Sequence, residues 1–330
     1  MVTTDFILAA SEFSLIQTYF AQLTRGRSDV VKGIGDDCAL LRGHPTELLA
    51  VSIDTLVEGV HFFADIEPFR LGYKSLAVGL SDLAAMGAEP AWFTLALTLP
   101  ENNAAWLESF ASGLAELAVQ HNVQLVGGDT TRGPLTISIQ VHGHVPETSG
   151  LRRDTARVGD KICVTGTLGD AGAALNSRLT GLNLQALTAE QHDYLWSRLE
   201  LPTPRNTIGK MLRQCAHAAI DISDGLLADL GHVLAASHVG AVLNVDSLPI
   251  SEALLQLPRS IATELALTAG DDYELCFTAP ANKLRQLLEA DVEVTCIGEV
   301  TTVPELVLVD HAGRVFETPQ TGMGYDHFKQ

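Results

Sequence analysis

Apolar positions recur with two different periods in the first half of the chain. Phe13, Ile16, Phe20 and Leu23 follow helical spacing and predict an amphipathic helix near the start. Between positions 135 and 142 apolar residues alternate strictly with polar ones, a pattern typical of a half-buried strand.

The rest of this half also alternates between the two kinds of element. We predict strands over 47–54, 92–99 and 123–126, and helices over 68–86 and 106–117. The resulting order of strand, helix, strand, helix, strand, strand predicts a mixed sheet with helices packed on it.

A turn-rich stretch over 144–159 then interrupts the pattern, and we place a domain boundary there, giving domains 1–147 and 148–330. The second half restarts with a strand at 161–165, and the glycine run 166–172 and an alanine-rich helix follow it. Further elements are predicted as a helix that begins at 223–225 and strands over 241–245, 275–278, 295–300 and 306–309. The predicted fold class is therefore α/β with mixed sheets in two domains.

Charge and composition exclude several classes of partner. The formal net charge is −19, from 40 acidic and 21 basic residues, which disfavours nucleic acid or an anionic membrane as a ligand. No stretch is apolar enough to predict a membrane span, and the first residues do not resemble a signal peptide. Five widely spaced cysteines are typical of a reduced protein with neither a disulfide framework nor a zinc site, so we expect a cytoplasmic location.

Aspartates beside glycine, serine or threonine are the main chemical feature. They occur in seven short motifs: 33–37, 52–55, 81–83, 127–131, 221–225, 270–274 and 324–326. Carboxylate, hydroxyl and carbonyl oxygens are the ligands that magnesium prefers, and magnesium allows an acidic protein to hold polyphosphate. Each motif by itself also fits a turn or a helix cap. The run 166–172 lacks the Lys-Ser/Thr of a phosphate loop, so tight packing of strand on helix explains it better.

Two of these motifs carry more weight than a turn requires. Asp82 interrupts an otherwise apolar helix on which Ser75, Gly79 and Asp82 share one face, and a buried carboxylate is costly unless it is paired or bound to metal. The motif 221–225 places three oxygen-bearing side chains within four residues, more than a helix cap needs. We therefore expect one site assembled from both halves of the chain, between domains or between subunits.

Taken in order, these motifs resemble those of the thiamine-monophosphate kinases. The resemblance runs along the whole chain and is carried by the segments 12–16, 33–41, 54–62, 81–88, 127–133, 222–226 and 324–328. The wider superfamily includes aminoimidazole ribonucleotide synthetase, selenophosphate synthetase and a hydrogenase-maturation protein. The resemblance implies their two-domain fold and a homodimer that pairs through its N-terminal domains.

The same resemblance implies the reaction and the residues that serve it. ATP would phosphorylate thiamine phosphate to thiamine diphosphate by direct in-line transfer, with several Mg²⁺ ions. The implied metal ligands are Asp37, Ser52, Asp54, Asp82, Asp129, Asp221 and Asp224. The implied ATP contacts are Gly128, Asp129, Arg153 and Ser223, and the implied contacts to thiamine phosphate are His61, Asp271 and Tyr325.

The sequence differs from the family pattern at three positions. Ile53 replaces a common threonine, Asp271 replaces a common glutamate, and Gly322 lies near a position where some members carry tryptophan. The acceptor is a phosphate monoester with a second pKa of about 6, so it arrives ionised and needs no general base. We therefore expect His61 to contact the substrate rather than to remove a proton.

Two alternatives to this function remain at the level of sequence. One is another ATP-using enzyme of the superfamily, such as a selenophosphate synthetase, which relies on a reactive cysteine or selenocysteine near a glycine-rich N-terminal segment. The first cysteine here, Cys38, follows the Asp36-Asp37 pair and is poorly placed for that role. The other is a non-catalytic nucleotide-binding regulator, which the large set of aspartates disfavours.

Overall fold

A computed structural model describes residues 12–289, 292–317 and 324–325. The chain forms two compact units. The first contains the residues up to Gly79 together with Pro90–His144, and the second contains Leu80–Glu89 together with the residues from Val145 onward. The segment Leu80–Glu89 therefore groups with the second unit, although it precedes most of it in sequence.

Strands and helices alternate through both units. The strands are β1 (Val30–Lys32), β2 (Leu40–Leu41), β3 (Glu47–Val57), β4 (Glu89–Leu99), β5 (Gln124–Arg132), β6 (Thr136–Pro146), β7 (Lys161–Thr165), β8 (Ala218–Asp221), β9 (Gly240–Asn244), β10 (Leu275–Ala279), β11 (Val294–Thr301) and β12 (Leu306–Val309). The helices are α1 (Glu12–Leu15), α2 (Pro68–Ala85), α3 (Ala104–Gln120), α4 (Asp170–Leu179), α5 (Ala189–Glu200), α6 (Asn206–Leu212), α7 (Leu226–Ser237), α8 (Arg259–Thr268) and α9 (Ala281–Glu289). A π-helical turn, Ile16–Phe20, continues α1, so the predicted N-terminal helix ends before Leu23.

A four-stranded sheet with the order β3-β6-β4-β5 forms the first unit. Ile137, Ile139 and Val141 of β6 are buried while the polar residues between them are half-buried, which confirms the predicted alternation. Helix α2 approaches this strand closely at Gly79, where a Cβ atom would lie 2.9 Å from Cγ1 of Val141. The small residue on the predicted polar face of α2 thus lets the helix pack against the sheet.

The second unit contains a six-stranded sheet with the order β12-β9-β11-β7-β10-β8. Its neighbouring strands are antiparallel except β12 and β9, which are parallel. Every residue of β8 and of β10 is buried, because apolar clusters cover this sheet on both faces. The mixed α/β sheets expected from the sequence are confirmed.

The predicted end of the strand over 47–54 was wrong. Ser52, Ile53 and Asp54 lie inside β3, because the chain continues as strand to Val57 and the N–H of Glu58 then donates to the carbonyl of Leu135. Alternation along 55–57 was too short a signal to extend the predicted strand.

The segment from Gly127 to Thr131 is also strand rather than a turn. It belongs to β5, which pairs in parallel with β4 and places Gly128 opposite Leu95. Gly128 has a φ of +154°, and a Cβ atom there would lie 1.9 Å from the carbonyl oxygen of Leu95. The close approach of the two strands therefore requires glycine at this position.

Candidate active site

The end of β8 brings two of the predicted ligands together in the second unit. Asp221 is the last residue of β8 and is 4% exposed. Oγ of the buried Ser81 donates a hydrogen bond to its Oδ2 at 2.9 Å. Burial, and then the negative charge of Asp82, raise the pKa of Asp221 to about 8, and the charge of Arg153 partly opposes this shift. A predicted ATP contact, Arg153, thus acts electrostatically on a predicted metal ligand.

This group of oxygens fits a divalent cation. Asp221 is buried and Asp82 is half-buried, and the repulsion between their carboxylates adds to the effect of burial in raising the pKa of Asp221. A hard cation removes that repulsion, and carboxylate and hydroxyl oxygens are the donors that Mg²⁺ selects. Asp221, Asp82 and Ser81 are therefore chemically suited to hold magnesium.

Asp229 fixes the loop that follows β8. Its Oδ2 accepts the backbone N–H groups of Ser223, Asp224 and Gly225 at 3.1, 3.0 and 3.1 Å. The N-cap of α7 is Gly225, which has no side chain to cap the helix. Burial raises the pKa of Asp229 to about 7, against the lowering effect of these N–H groups. Asp229 was not among the residues predicted from the sequence, although its signal, a carboxylate among Leu226, Leu227 and Leu230, matches that of Asp82.

Backbone hydrogen bonds hold two more predicted segments against this loop. The N–H of Asp271 donates to the carbonyl of Ser223 at 2.9 Å, and the N–H of Tyr325 donates to the carbonyl of Asp224 at 3.0 Å. Gly270 makes the contact possible, since a Cβ atom there would lie 2.2 Å from the oxygen of Ser223. Four sequence-predicted residues, from three distant segments, therefore meet in the second unit.

Asp271 has an unusual backbone conformation. Its φ is +64°, in the left-handed region, and Tyr273 follows with a φ of +51°. The hydroxyl of Tyr273 donates to Oδ1 of Asp271 at 2.9 Å. Two non-glycine residues in this sparsely populated region mark a segment whose shape is imposed by its surroundings, a feature that often accompanies functional sites.

A buried ionic cluster supports this segment from beneath. Glu274 is fully buried and accepts hydrogen bonds from Thr165 at 2.6 Å, from Arg198 at 2.9 Å and from Nε of Arg205 at 2.6 Å. Gly166 lies against it, because a Cβ atom there would be 2.3 Å from Oε1 of Glu274. Within the same glycine run, a Cβ atom at Gly169 would lie 2.7 Å from the backbone nitrogen of Ala266 in α8, which agrees with the predicted tight packing on a helix. Glu274 had no predicted role.

The first unit carries the remaining predicted residues. Ser52 and Asp54 lie half-buried on one face of β3, and Ile53 is 62% exposed on the other face. A Cβ atom at Gly79 would lie 3.5 Å from Oδ2 of Asp54. Asp129 is exposed on β5, next to Gly128.

Asp37 and His61 occupy loops of the first unit. Asp37 is exposed after β1, and its backbone N–H donates to Oδ1 of Asp36 at 3.0 Å. His61 follows β3, and its Nδ1 accepts the N–H of Val57 at 3.0 Å. An Nδ1 that accepts from the backbone leaves the proton of the neutral ring on Nε2, so the ring presents a donor there. Gly322 lies outside the described residues, and its departure from the family pattern has no structural account.

Comparisons with known proteins identify the family. The AIR synthase related protein family matches with its N-terminal domain over residues 35–145 and with its C-terminal domain over residues 157–311. A thiamine-monophosphate kinase from Escherichia coli (strain K12) is 48% identical over 97% of this chain and 99% of its own length. The chain belongs to the thiamine-monophosphate kinase family.

Solved structures agree with the thiamine-monophosphate kinase assignment. The crystal structure of a thiamine-monophosphate kinase from Stenotrophomonas maltophilia K279a is 51% identical with a TM-score of 0.81, covering 86% of this chain and 92% of that one. AaThiL, solved in complex with AMPPCP and TMP, is 31% identical with a TM-score of 0.76, covering 90% and 92%. The predicted family and its two-domain fold are confirmed.

Proposed function

We propose that this protein transfers the γ-phosphoryl group of ATP to thiamine phosphate, giving ADP and thiamine diphosphate. The observation that carries the proposal is the match to thiamine-monophosphate kinases along nearly the whole chain, together with the acidic site at the end of β8. AaThiL holds an ATP analogue and TMP in its solved complex, which supports the same pair of ligands here.

We assign two sets of protein oxygens to magnesium. Asp37, Ser52, Asp54 and Asp129 come from the first unit, and Asp82, Asp221 and Asp224 come from the second. Bound magnesium ions supply positive charge that offsets the repulsion between two phosphate groups. Gly128, Asp129, Arg153 and Ser223 would contact ATP. The fixed 221–225 loop would orient these groups, since Asp229 holds its backbone.

The remaining assignments concern thiamine phosphate. His61, Asp271 and Tyr325 would bind it, and the Nε2–H of the neutral His61 ring suits an anionic phosphate oxygen as a donor. The phosphate monoester has a second pKa of about 6, so its attacking oxygen is already largely ionised at neutral pH. We therefore assign no general base, and propose direct in-line transfer without a phosphorylated enzyme.

The test of the reaction is ADP release from ATP and Mg²⁺ with and without thiamine phosphate. The proposal expects release only when thiamine phosphate is present, with thiamine diphosphate formed in equal amount. A non-catalytic regulator would release no ADP in either case. An enzyme that phosphorylates a different acceptor would leave thiamine phosphate unchanged.

Variants test the assignments separately from the reaction. Asp54→Ala and Asp129→Ala should each reduce turnover and raise the Mg²⁺ concentration needed for half-maximal rate, while Asp193→Ala, on the exposed face of α5, is the matched control. Unchanged magnesium dependence in both site variants would refute the assignment of Asp54 and Asp129 to magnesium. Inversion at a chiral γ-phosphorus is expected for direct transfer, and retention would refute it.

We also propose a homodimer that pairs through the four-stranded sheet of the first unit. Leu49, Val51 and Ile53 point to one face of β3 and are 54%, 50% and 62% exposed, an apolar row that a partner sheet would cover. Light scattering should give twice the chain mass, and Val51→Lys should reduce it to that of one chain. A monomeric wild-type protein would contradict the pairing.

Domain limits of 1–147 and 148–330 and a cytoplasmic location stay predictions. Among the described residues, no helix is long and apolar enough to cross a membrane.

A further inference from the structure

Two cysteines that are far apart in sequence meet on neighbouring strands of the second unit. Cys163 of β7 and Cys296 of β11 are separated by 133 residues, and their Sγ atoms lie 2.8 Å apart. The antiparallel register places the two residues directly opposite each other, so their side chains point to the same face of the sheet. The proposed phosphoryl transfer uses neither thiol.

Their surroundings differ in a way that suits a reaction between them. Cys163 is fully buried in an apolar cluster with Leu275 and Phe277, whereas Cys296 is exposed. The hydrogen bond from Cys163, and then the charge of Lys161, lower the pKa of Cys296 to about 7 in spite of partial burial. The same pairing and burial raise the pKa of Cys163. Near neutral pH a large fraction of Cys296 is therefore in the thiolate form, which is the nucleophilic form.

The backbone next to the pair permits the small closure that a bond requires. Bonded sulfurs lie about 2.0 Å apart, so the two Sγ atoms need to approach by less than about 1 Å. The register of β11 against β7 shifts between Cys296 and Gly298, which marks a bulge directly after the exposed cysteine. Bulges locally bend a strand and redirect side chains, so the adjustment does not disturb the whole ladder.

We propose that Cys163 and Cys296 are a modification site, at which a hydroperoxide converts the two thiols into an intramolecular disulfide and a dithiol reduces it back. The Cys296 thiolate attacks one peroxide oxygen, the O–O bond breaks, and the departing oxygen takes a proton, which leaves a sulfenic acid on Cys296. The sulfur of Cys163 then attacks the sulfenic sulfur, the S–S bond forms and the S–O bond breaks. The hydroxide that leaves takes the proton of the Cys163 thiol as water, so the thiols lose two electrons in total and the peroxide gains them.

The other cysteines provide internal controls. Cys38 is exposed in the loop after Asp37 and lies outside the pair, so it reports simple exposure of a thiol to the oxidant. Cys215 and Cys276 are buried, and burial raises the pKa of each, which keeps them in the unreactive thiol form.

The test is peptide mapping of the folded full-length protein after brief treatment with hydrogen peroxide and alkylation of the remaining thiols. The expected product is a cross-linked peptide pair that contains Cys163 and Cys296 and lacks two hydrogen atoms, and dithiothreitol should restore both thiols. Cys38→Ser should form the same cross-link to the same extent. Cys163→Ser should instead accumulate a sulfenic acid on Cys296 that dimedone traps, since the resolving thiol is gone.

Several results would overturn the proposal. Oxidation of Cys296 in the wild-type protein to sulfinic acid without a cross-link would show that Cys163 does not resolve it. The proposal would also fail if the cross-link formed to Cys38, Cys215 or Cys276 instead, or if Cys296 did not react. Because the wild-type map decides the question by itself, a folding defect in Cys163→Ser leaves the test intact.

Discussion

Removal of the Asp229 carboxyl group should loosen the loop that carries the predicted ligands of the second unit. Oδ2 of Asp229 accepts three backbone N–H groups at 3.0–3.1 Å. The side chain is 3% exposed, so water has little access to the donors that truncation leaves behind. Asp229→Ala therefore removes the common acceptor of residues 223, 224 and 225 at once.

The magnitude follows from the number of bonds and the charge of the acceptor. Burial raises the pKa of Asp229 to about 7, so the group is only partly ionised at neutral pH and each bond contributes on the order of 1 kcal/mol. Loss of three bonds should cost about 3 kcal/mol of stability. For a unit of this size that corresponds to a fall in Tm of roughly 6–12 °C. Asp229→Asn keeps an oxygen acceptor in the same place and should cost about 1 kcal/mol.

Two measurements check the prediction. Calorimetry gives the Tm of the wild-type protein and of both variants, and a magnesium titration of ADP release gives the concentration for half-maximal rate. Because Asp229 holds the loop of the proposed metal ligands without being one of them, Asp229→Ala should raise that concentration about 10- to 100-fold, as loss of an outer partner of a metal site does. Asp229→Asn should change it far less.

The hydrogen-bond explanation fails if the two variants behave alike. Equal losses in Asp229→Asn and Asp229→Ala would mean that the charge, rather than the acceptor geometry, holds the loop. A Tm of Asp229→Ala equal to that of the wild-type protein would mean that the three bonds add no net stability. Asp193→Ala, which changes an exposed carboxylate of α5, measures the effect of losing one negative charge.

Three further predictions follow from buried carboxylates and from one close backbone contact. Because the folded-state pKa values of Asp221 and Asp229 are raised to about 8 and about 7, the folded chain binds protons that the unfolded chain has released. With a chelator present, calorimetry should therefore show that Tm falls as the pH rises from about 5 to 8. Added magnesium should offset this fall. A Tm that rises over the same pH range would contradict the reasoning. Glu274→Gln removes the negative charge that two arginines share and should cost about 3–5 kcal/mol in thermal or urea unfolding, whereas Glu274→Asp should retain part of the pairing. Gly128→Ala forces a Cβ atom against the carbonyl of Leu95 and should lower Tm by several degrees even without ligands, and an unchanged Tm would contradict the packing role.

The sequence predicted local structure well where a periodic signal was long. Strict alternation over 135–142 identified β6, and the apolar stripe over 68–86 identified α2, because neighbours two or four positions apart decide which face of an element is buried. Short signals gave wrong ends, as in β3, where three further residues continue the strand beyond Asp54.

The acidic motifs likewise predicted the chemistry of the site, but they did not predict which residues hold its loops in place. Asp82 and Asp221 were expected to bind metal from their residue type and setting, and the structure places them close enough to shift the pKa of Asp221. The role of Asp229 depends on the path of the loop before α7, and that of Glu274 depends on arginines 69 and 76 residues away. Residue type alone does not specify such partners.

The sequence by itself therefore determined the family, the alternation of strands and helices, and the kind of ligand that the aspartates suit. Only the tertiary structure decided which segments meet: the loops around 223, 271 and 325, and the thiols of Cys163 and Cys296. The physical reason is that periodicity records contacts within one element. Contacts between elements depend on strand order and register, which no local pattern encodes.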